Sequence, residues 1–197
     1  MGATGNFAHM NPRTLLALSL FATLAHADDF KPEPGFELIF NGTDLTGWHF
    51  KDGAPFDGKK ASDDERYTVA NGIFAVNPPK DAPRKVQQIW TVREFPKNFT
   101  LRLEFRAGVN ADSGIFIRKP QLQCRDYLLA GPYKELKKYK AQDWNEIEVV
   151  VKDGVAHCTC NGEVLEDALK LPETGPIGLE GDRGLMEYRH IRVQETP

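Results

Sequence analysis

The chain has 197 residues, 25 basic and 28 acidic side chains, a formal net charge of -3, and 41% hydrophobic residues. That length suits one domain, and that composition excludes a disordered, collagen-like or coiled-coil chain. No basic excess points to nucleic acid, and the three cysteines are too few for a disulfide scaffold.

Residues 1–27 carry one charged side chain, Arg13, followed by the apolar run 15–25 and by Ala25-His26-Ala27. A basic residue, a short apolar stretch and an A-x-A site describe a secretory signal peptide. The run is short of the ~20 residues that span a bilayer, which leaves a short buried helix or a retained anchor as the alternative. The expectation is that 1–27 are removed. Residues 28–197 then form a single exported domain, periplasmic or extracellular, with no integral membrane span in the mature chain.

The mature chain reads as strands almost throughout. Segment 36–40 is a short apolar strand stopped by Asn41-Gly42. Segments 67–70 and 73–76 flank Asn71-Gly72, and 147–152 and 155–160 flank Asp153-Gly154. Both dipeptides suit a type I′ hairpin turn, which needs two positive φ angles. Phe99, Leu101, Leu103 and Phe105 alternate with Thr100, Arg102, Glu104 and Arg106, the pattern of a half-buried strand. Strands at 115–118 and 121–124 follow, and 177–180 and 188–194 close the chain. The best helical candidate is 134–140, about two turns by its length. Loops at 51–66, 77–85 and 126–143 are long for a compact domain. These elements predict an all-β sandwich.

Cys158 and Cys160 lie two apart, so they share one strand face. They are expected to be buried and not bonded to each other, with a Cys124 bridge to one of them as the alternative. The P-loop, G-x-G-x-x-G, H-E-x-x-H and G-x-S-x-G motifs are absent. What remains is polar residues on strands whose other face is apolar: Glu104 and Arg106, Arg118, Gln121, Gln123 and Arg125, and Glu180. If these strands share a sheet, one face gathers amides, guanidinium groups and carboxylates suited to a sugar. Trp48, Trp90 or Trp144 could stack on the ring. The alternative is an ordinary solvated outer face, and burial is the favoured role for Trp144.

Six segments stand in a recognisable order: Phe36-Glu-Leu-Ile-Phe-Asn-Gly-Thr-Asp-Leu-Thr-Gly-Trp48, Leu101-Arg-Leu-Glu-Phe-Arg106, Asp112-Ser-Gly-Ile-Phe-Ile-Arg118, Trp144-Asn145, Gly175-Pro-Ile-Gly-Leu179 and Tyr188-Arg-His-Ile-Arg192. Together they resemble the 3-keto-disaccharide hydrolase domain family over nearly the whole mature chain. The resemblance implies a concanavalin A-like jelly-roll β-sandwich that cleaves 3-keto-glycosides, by hydrolysis or by elimination across C1–C2. A C3 carbonyl acidifies the C2 proton; a base removes it, and the enolate expels the group on C1. Such a site needs a base, an electrophile for the enolate oxygen and an acid for the leaving group.

The family often has Glu-x-Gln where this chain has Gln121-Leu122-Gln123, followed by Asp126. Gln121 cannot act as a base, so either the base is Glu104, Asp126, Glu180 or Asp182, or the chain binds without turning over. The candidate catalytic set is Glu104, Arg118, Glu180 and Asp182. The candidate substrate-binding set is Arg106, Gln121, Gln123 and Asp126, with Arg106 and Arg118 serving electrostatically. A divalent cation is an alternative electrophile; Glu180-Gly-Asp182, two carboxylates two apart, could be an acid/base pair, a cation site or a turn. The expected partner is a saccharide or keto-sugar. The second reading is a non-catalytic carbohydrate-binding or cell-surface module. A third, a glucanase-like hydrolase, would use carboxylates two apart, as at Glu146 and Glu148 or Glu180 and Asp182.

Overall fold

The computed structural model describes residues 29–77, 86–129 and 131–196, together with Met1. The expected signal peptide and most of the 77–85 loop lie outside these residues. Among the described residues there are thirteen strands and no helix, hence no helix long and apolar enough to cross a membrane.

Eight strands form one antiparallel sheet. These are β1 (Glu37–Leu38), β3 (Tyr67–Ala70), β4 (Ile73–Val76), β6 (Asn98–Ala107), β9 (Asn145–Lys152), β10 (Val155–Cys160), β11 (Glu163–Lys170) and β13 (Met186–Thr196). Their order is β11-β10-β9-β6-β13-β4-β3, with β1 paired to the far half of β13. The other five strands are β2 (Trp48–Phe50), β5 (Gln87–Glu94), β7 (Asp112–Ile117), β8 (Gln121–Arg125) and β12 (Pro176–Gly181). They form a second antiparallel sheet in the order β2-β5-β12-β7-β8. The fold is a jelly-roll β-sandwich, as the resemblance implies.

Period-2 patterning builds the core. Phe99, Leu101, Leu103 and Phe105 on β6 are buried, as are Ile115 and Ile117 on β7, Leu122 and Cys124 on β8, and Ile177 and Leu179 on β12. Fully burying side chains of this kind contributes about 1.5–3 kcal/mol each. Asn71-Gly72 and Asp153-Gly154 turn with φ of 52°, 77°, 50° and 75° in chain order, as a type I′ hairpin requires. Asn161-Gly162 makes a third such turn, with φ of 48° and 78°, and leads into β11.

Two expectations about elements are corrected. Residues 134–140 form turns and bends; the backbone N–H groups of Lys137 and Lys138 donate to the Glu163 carboxylate instead of to helix carbonyls. Arg118 is not the end of a strand: β7 stops at Ile117, and Arg118 has φ 61°. The three cysteines are buried and free, and burial pushes the thiols of Cys158 and Cys160 up to about 12. Tyr127, Tyr133 and Tyr139 of the long 126–143 loop form an aromatic cluster in which Tyr127 and Tyr139 pack on Phe105. This loop therefore belongs to the core wall.

Candidate functional site

A sandwich presents two outer faces, and the sequence-predicted residues divide between them. β6 is central in the eight-stranded sheet, so Glu104 and Arg106 lie on its outer face. There Glu104 accepts from Arg189 Nε at 2.5 Å, and Arg106 Nε donates to Glu187 at 2.6 Å. Trp144 lies half-buried between those arginines, its ring centroid 4.8 Å from the Arg106 guanidinium carbon and 4.1 Å from that of Arg189. The glutamines sit on β8, at the edge of the other sheet. The strands do not share a sheet, so the single polar face expected if they did, joining Glu104 and Arg106 to Gln121 and Gln123, does not form.

Arg118 is 6% exposed, and its guanidinium is committed to three backbone carbonyls. It donates to Phe95 at 2.7 Å, Pro172 at 2.9 Å and Lys97 at 2.6 Å. Gly175 packs so close that a Cβ there would stand 2.6 Å from the Arg118 carbonyl oxygen. This geometry ties three loops together. Asp126 is 3% exposed and accepts from Asn110 N, Tyr139 Oη and Gln142 Nε2, so its carboxylate organises the loop around it.

The outer face of the five-stranded sheet collects the others. One row runs across all five strands in register: His49, Trp90, Gly178, Phe116 and Gln121. Two outward positions are glycines, and both are floors for a neighbour. A Cβ on Gly178 would stand 2.6 Å from the Trp90 ring, and one on Gly114 would stand 1.9 Å from Gln121 Nε2. Trp90 therefore lies over the sheet and meets Phe116 at a ring-centroid distance of 5.0 Å. Its indole Nε1 has no hydrogen-bond partner among the described residues. Beside this aromatic shelf, Gln121 Nε2 donates to Glu180 Oε2 at 2.6 Å, and Gln123 Nε2 donates to Gln121 Oε1 at 3.2 Å. Asp182, 8% exposed, follows just beyond the end of β12.

The backbone under Glu180 is pinned from the core side. Ser113 Oγ donates to the Glu180 carbonyl at 2.6 Å and lies 2.9 Å from the Tyr188 hydroxyl. Arg66 donates to the Gly181 carbonyl at 2.7 Å, and the Tyr67 hydroxyl donates to the Gln87 carbonyl at 2.7 Å. Burial raises both phenols above their ordinary value, so they stay neutral donors. The Glu180 carboxylate, on the central strand of this sheet, thus stands on a well-bonded support.

Among the described residues, no three or more His, Cys, Asp or Glu side chains gather as a metal site. A cavity of about 310 Å³ lies elsewhere, beside β1, β3 and β4, lined by Phe30, Leu38, Phe40 and Val69 among others.

The model of the 3-keto-alpha-glucoside-1,2-lyase-like domain matches residues 35–194. The chain belongs to that family.

Two solved candidate glycosyl hydrolases from Parabacteroides distasonis share the lyase-like domain's fold. The first has TM-score 0.63 at 18% identity, covering 83% of this chain and 95% of that one. The second has TM-score 0.56 at 20% identity, covering 76% and 99%. The carbohydrate-binding module CBM66 from Bacillus subtilis superposes at TM-score 0.50 and 7% identity, over 77% and 97% of the two chains. At these identities the likeness establishes the fold alone. No curated protein sequence is a significant match.

In this lyase-like domain the sequence reading missed Gly178 and Gly114 as the floors under Trp90 and Gln121. A signal for the glycines existed: Gly114 and Gly178 sit inside strands, where glycine marks close approach of another group. Trp90 was one of three candidate stacking rings, and it is the one on this face.

Proposed function

We propose that the outer face of the five-stranded sheet binds a glycoside and cleaves it after oxidation at C3. Membership of the 3-keto-alpha-glucoside-1,2-lyase-like family supports a carbohydrate-active role. The observation that carries the reading is the in-register row in which Trp90 lies on Gly178 while Glu180 and Gln121 meet beside it. The Trp90 ring next to a carboxylate and two amides matches the apolar face and the hydroxyl edge of a sugar ring.

In the proposed reaction Glu180 removes the C2 proton of a 3-keto-glycoside. The electron pair moves to the C2–C3 bond and onto the C3 oxygen, which accepts from a site N–H. The enolate then re-forms the C3 carbonyl while its C2–C3 electron pair becomes a C1=C2 double bond and the C1–O bond breaks, the departing oxygen taking a proton from Asp182 as the proposed acid. The role expected of Arg118 passes to the amides of Gln121 and Gln123, each of which keeps one N–H for a ligand. We further propose that the chain is exported, on the strength of Arg13, the 15–25 run and Ala25-His26-Ala27.

A carbohydrate-binding module is the second reading. Gln121, where the family often has an acid, favours it. Incubation with 3-keto-glucosides, followed by product identification with and without a chelator, separates the two. The enzyme reading predicts release of the C1 substituent; sugar binding without release supports the module.

A further inference from the structure

The three outward side chains of β8 form a chain of hydrogen bonds with one direction. Arg125 Nη2 donates to Gln123 Oε1, Gln123 Nε2 donates to Gln121 Oε1, and Gln121 Nε2 donates to Glu180. A cation stands at one end and a carboxylate at the other. An amide in isolation can present either its oxygen or its nitrogen to a neighbour. Here, turning Gln121 over would aim its oxygen at the Glu180 carboxylate and its N–H groups at those of Gln123. Turning Gln123 over would aim an N–H at the Arg125 guanidinium. Both ends therefore reject the flipped state, and the polarity of the row is set by the terminal charges.

Arg125 is well anchored for that task. Its guanidinium lies 3.1 Å from Asp112 Oδ1, with both side chains largely buried, at 15% and 16% exposure. Asp112 is in turn held 3.4 Å from Arg183. Gly131 covers Arg125 so closely that a Cβ there would stand 2.5 Å from Nη1. An arginine beneath a glycine-lined loop, with its carboxylate fixed on the neighbouring strand, has little freedom to leave Gln123.

We propose that Arg125 is the positioning residue of this face: through Gln123 it fixes the amide orientation of Gln121, and so the hydrogen bond delivered to Glu180. The inference rests on the reading of this face as the saccharide site, and it names a residue that touches neither the proposed base nor the shelf. Its consequence for recognition is definite. Gln121 and Gln123 each spend one N–H and one lone pair on the chain and keep one of each for a ligand. A sugar thus meets two amides whose donors and acceptors are already sorted.

The test reads the side-chain amides directly, and so does not depend on turnover. In ¹⁵N–¹H spectra, with signals assigned by Gln121→Leu and Gln123→Leu, the wild-type Nε2 protons of both glutamines should be widely separated and slow to exchange. Values of free glutamine for either would overturn the proposal without any variant. In Arg125→Met both amide pairs should move toward free-glutamine values, Gln121 included although Arg125 does not touch it. Arg125→Lys, which keeps the charge beside Asp112, should hold both nearer to wild type. Movement of Gln123 alone overturns the proposal. Should Arg125→Met fail to fold, the wild-type spectrum still decides. Cleavage of a 3-keto-glucoside is followed in parallel. If wild type does not turn over while the amides behave as stated, the enzyme reading fails and the positioning role stands. If wild type turns over, Arg125→Met should lower kcat about tenfold, and adding it to Gln123→Leu should cost little more, because both break one chain.

Discussion

Trp90 lies on Gly178. A Cβ at 178 would stand 2.6 Å from the indole, well inside van der Waals contact, and the two residues are direct cross-strand partners on β5 and β12. Glycine at that position is what lets the ring lie flat along the sheet beside Phe116. Gly178→Ala should lift Trp90 off the sheet. Overpacking of this kind costs about 1–3 kcal/mol, and sugar affinity should fall about tenfold, close to 1.4 kcal/mol. Titration calorimetry with the saccharide, alongside circular dichroism for the fold, checks it.

Arg118 is the next case. Expected from sequence as an electrostatic catalyst, it holds the carbonyls of Phe95, Lys97 and Pro172 from a buried position. Arg118→Ala strands those acceptors, and a buried carbonyl left without its donor costs about 1–3 kcal/mol. A large drop in the denaturant midpoint is expected. Sugar affinity of the folded fraction should change little.

The outer face of the eight-stranded sheet makes a pH-dependent contribution to stability. The Arg192 guanidinium, at 2.7 and 2.8 Å, holds Glu33 down at about 2, below its ordinary 4.5. A lowered carboxylate stabilises the fold above the unfolded value and loses that contribution as pH falls through the folded one. Glu33 is 43% exposed, so solvent screening reduces its worth to about 1 kcal/mol. Glu33→Gln should melt about 2–4 °C below wild type at neutral pH. The gap should close between pH 4.5 and 2. A constant gap across that window would contradict the pairing.

The thiols give a fourth prediction. Cys124, Cys158 and Cys160 are buried and free, and burial raises all three thiols. Since the thiolate is the reactive form, native protein at pH 8 should take up almost no iodoacetamide. Denatured, unreduced protein should take up three equivalents by mass spectrometry. Two missing equivalents would reveal a bridge.

Which parts of this were legible in the sequence follows from how local each signal is. The alternation of Phe99 to Arg106 and the Asn71-Gly72 and Asp153-Gly154 turns are properties of a few adjacent residues, and they were read correctly. β11 was not read. Its Glu163-Val-Leu-Glu-Asp-Ala-Leu-Lys170 is rich in charged residues and helix formers, buries only Leu165, and pairs across a bulged register with β10. β5 was missed because Gln87, Gln88, Arg93 and Glu94 hide its alternation. For the site, parity put Gln121, Gln123 and Glu180 outward, correctly. Parity says nothing about which sheet a strand joins, and Glu104 and Arg106 were misplaced for that reason. The left-handed backbone at Arg118 is set by loop contacts with Gly175, which are distant in sequence.

The central claim is that the outer face of the five-stranded sheet does the chemistry and that Glu180 is its base. The most direct measurement is kcat for 3-keto-glucoside cleavage by Glu180→Gln set against Glu104→Gln. General-base removal typically costs about 10²–10⁴-fold. Glu180→Gln should fall by at least ~10²-fold on that scale, with Glu104→Gln, whose partner is Arg189 on the opposite face, staying within about twofold of wild type. A large loss in Glu104→Gln with Glu180→Gln near wild type, or no cleavage by the wild-type protein, would contradict the account.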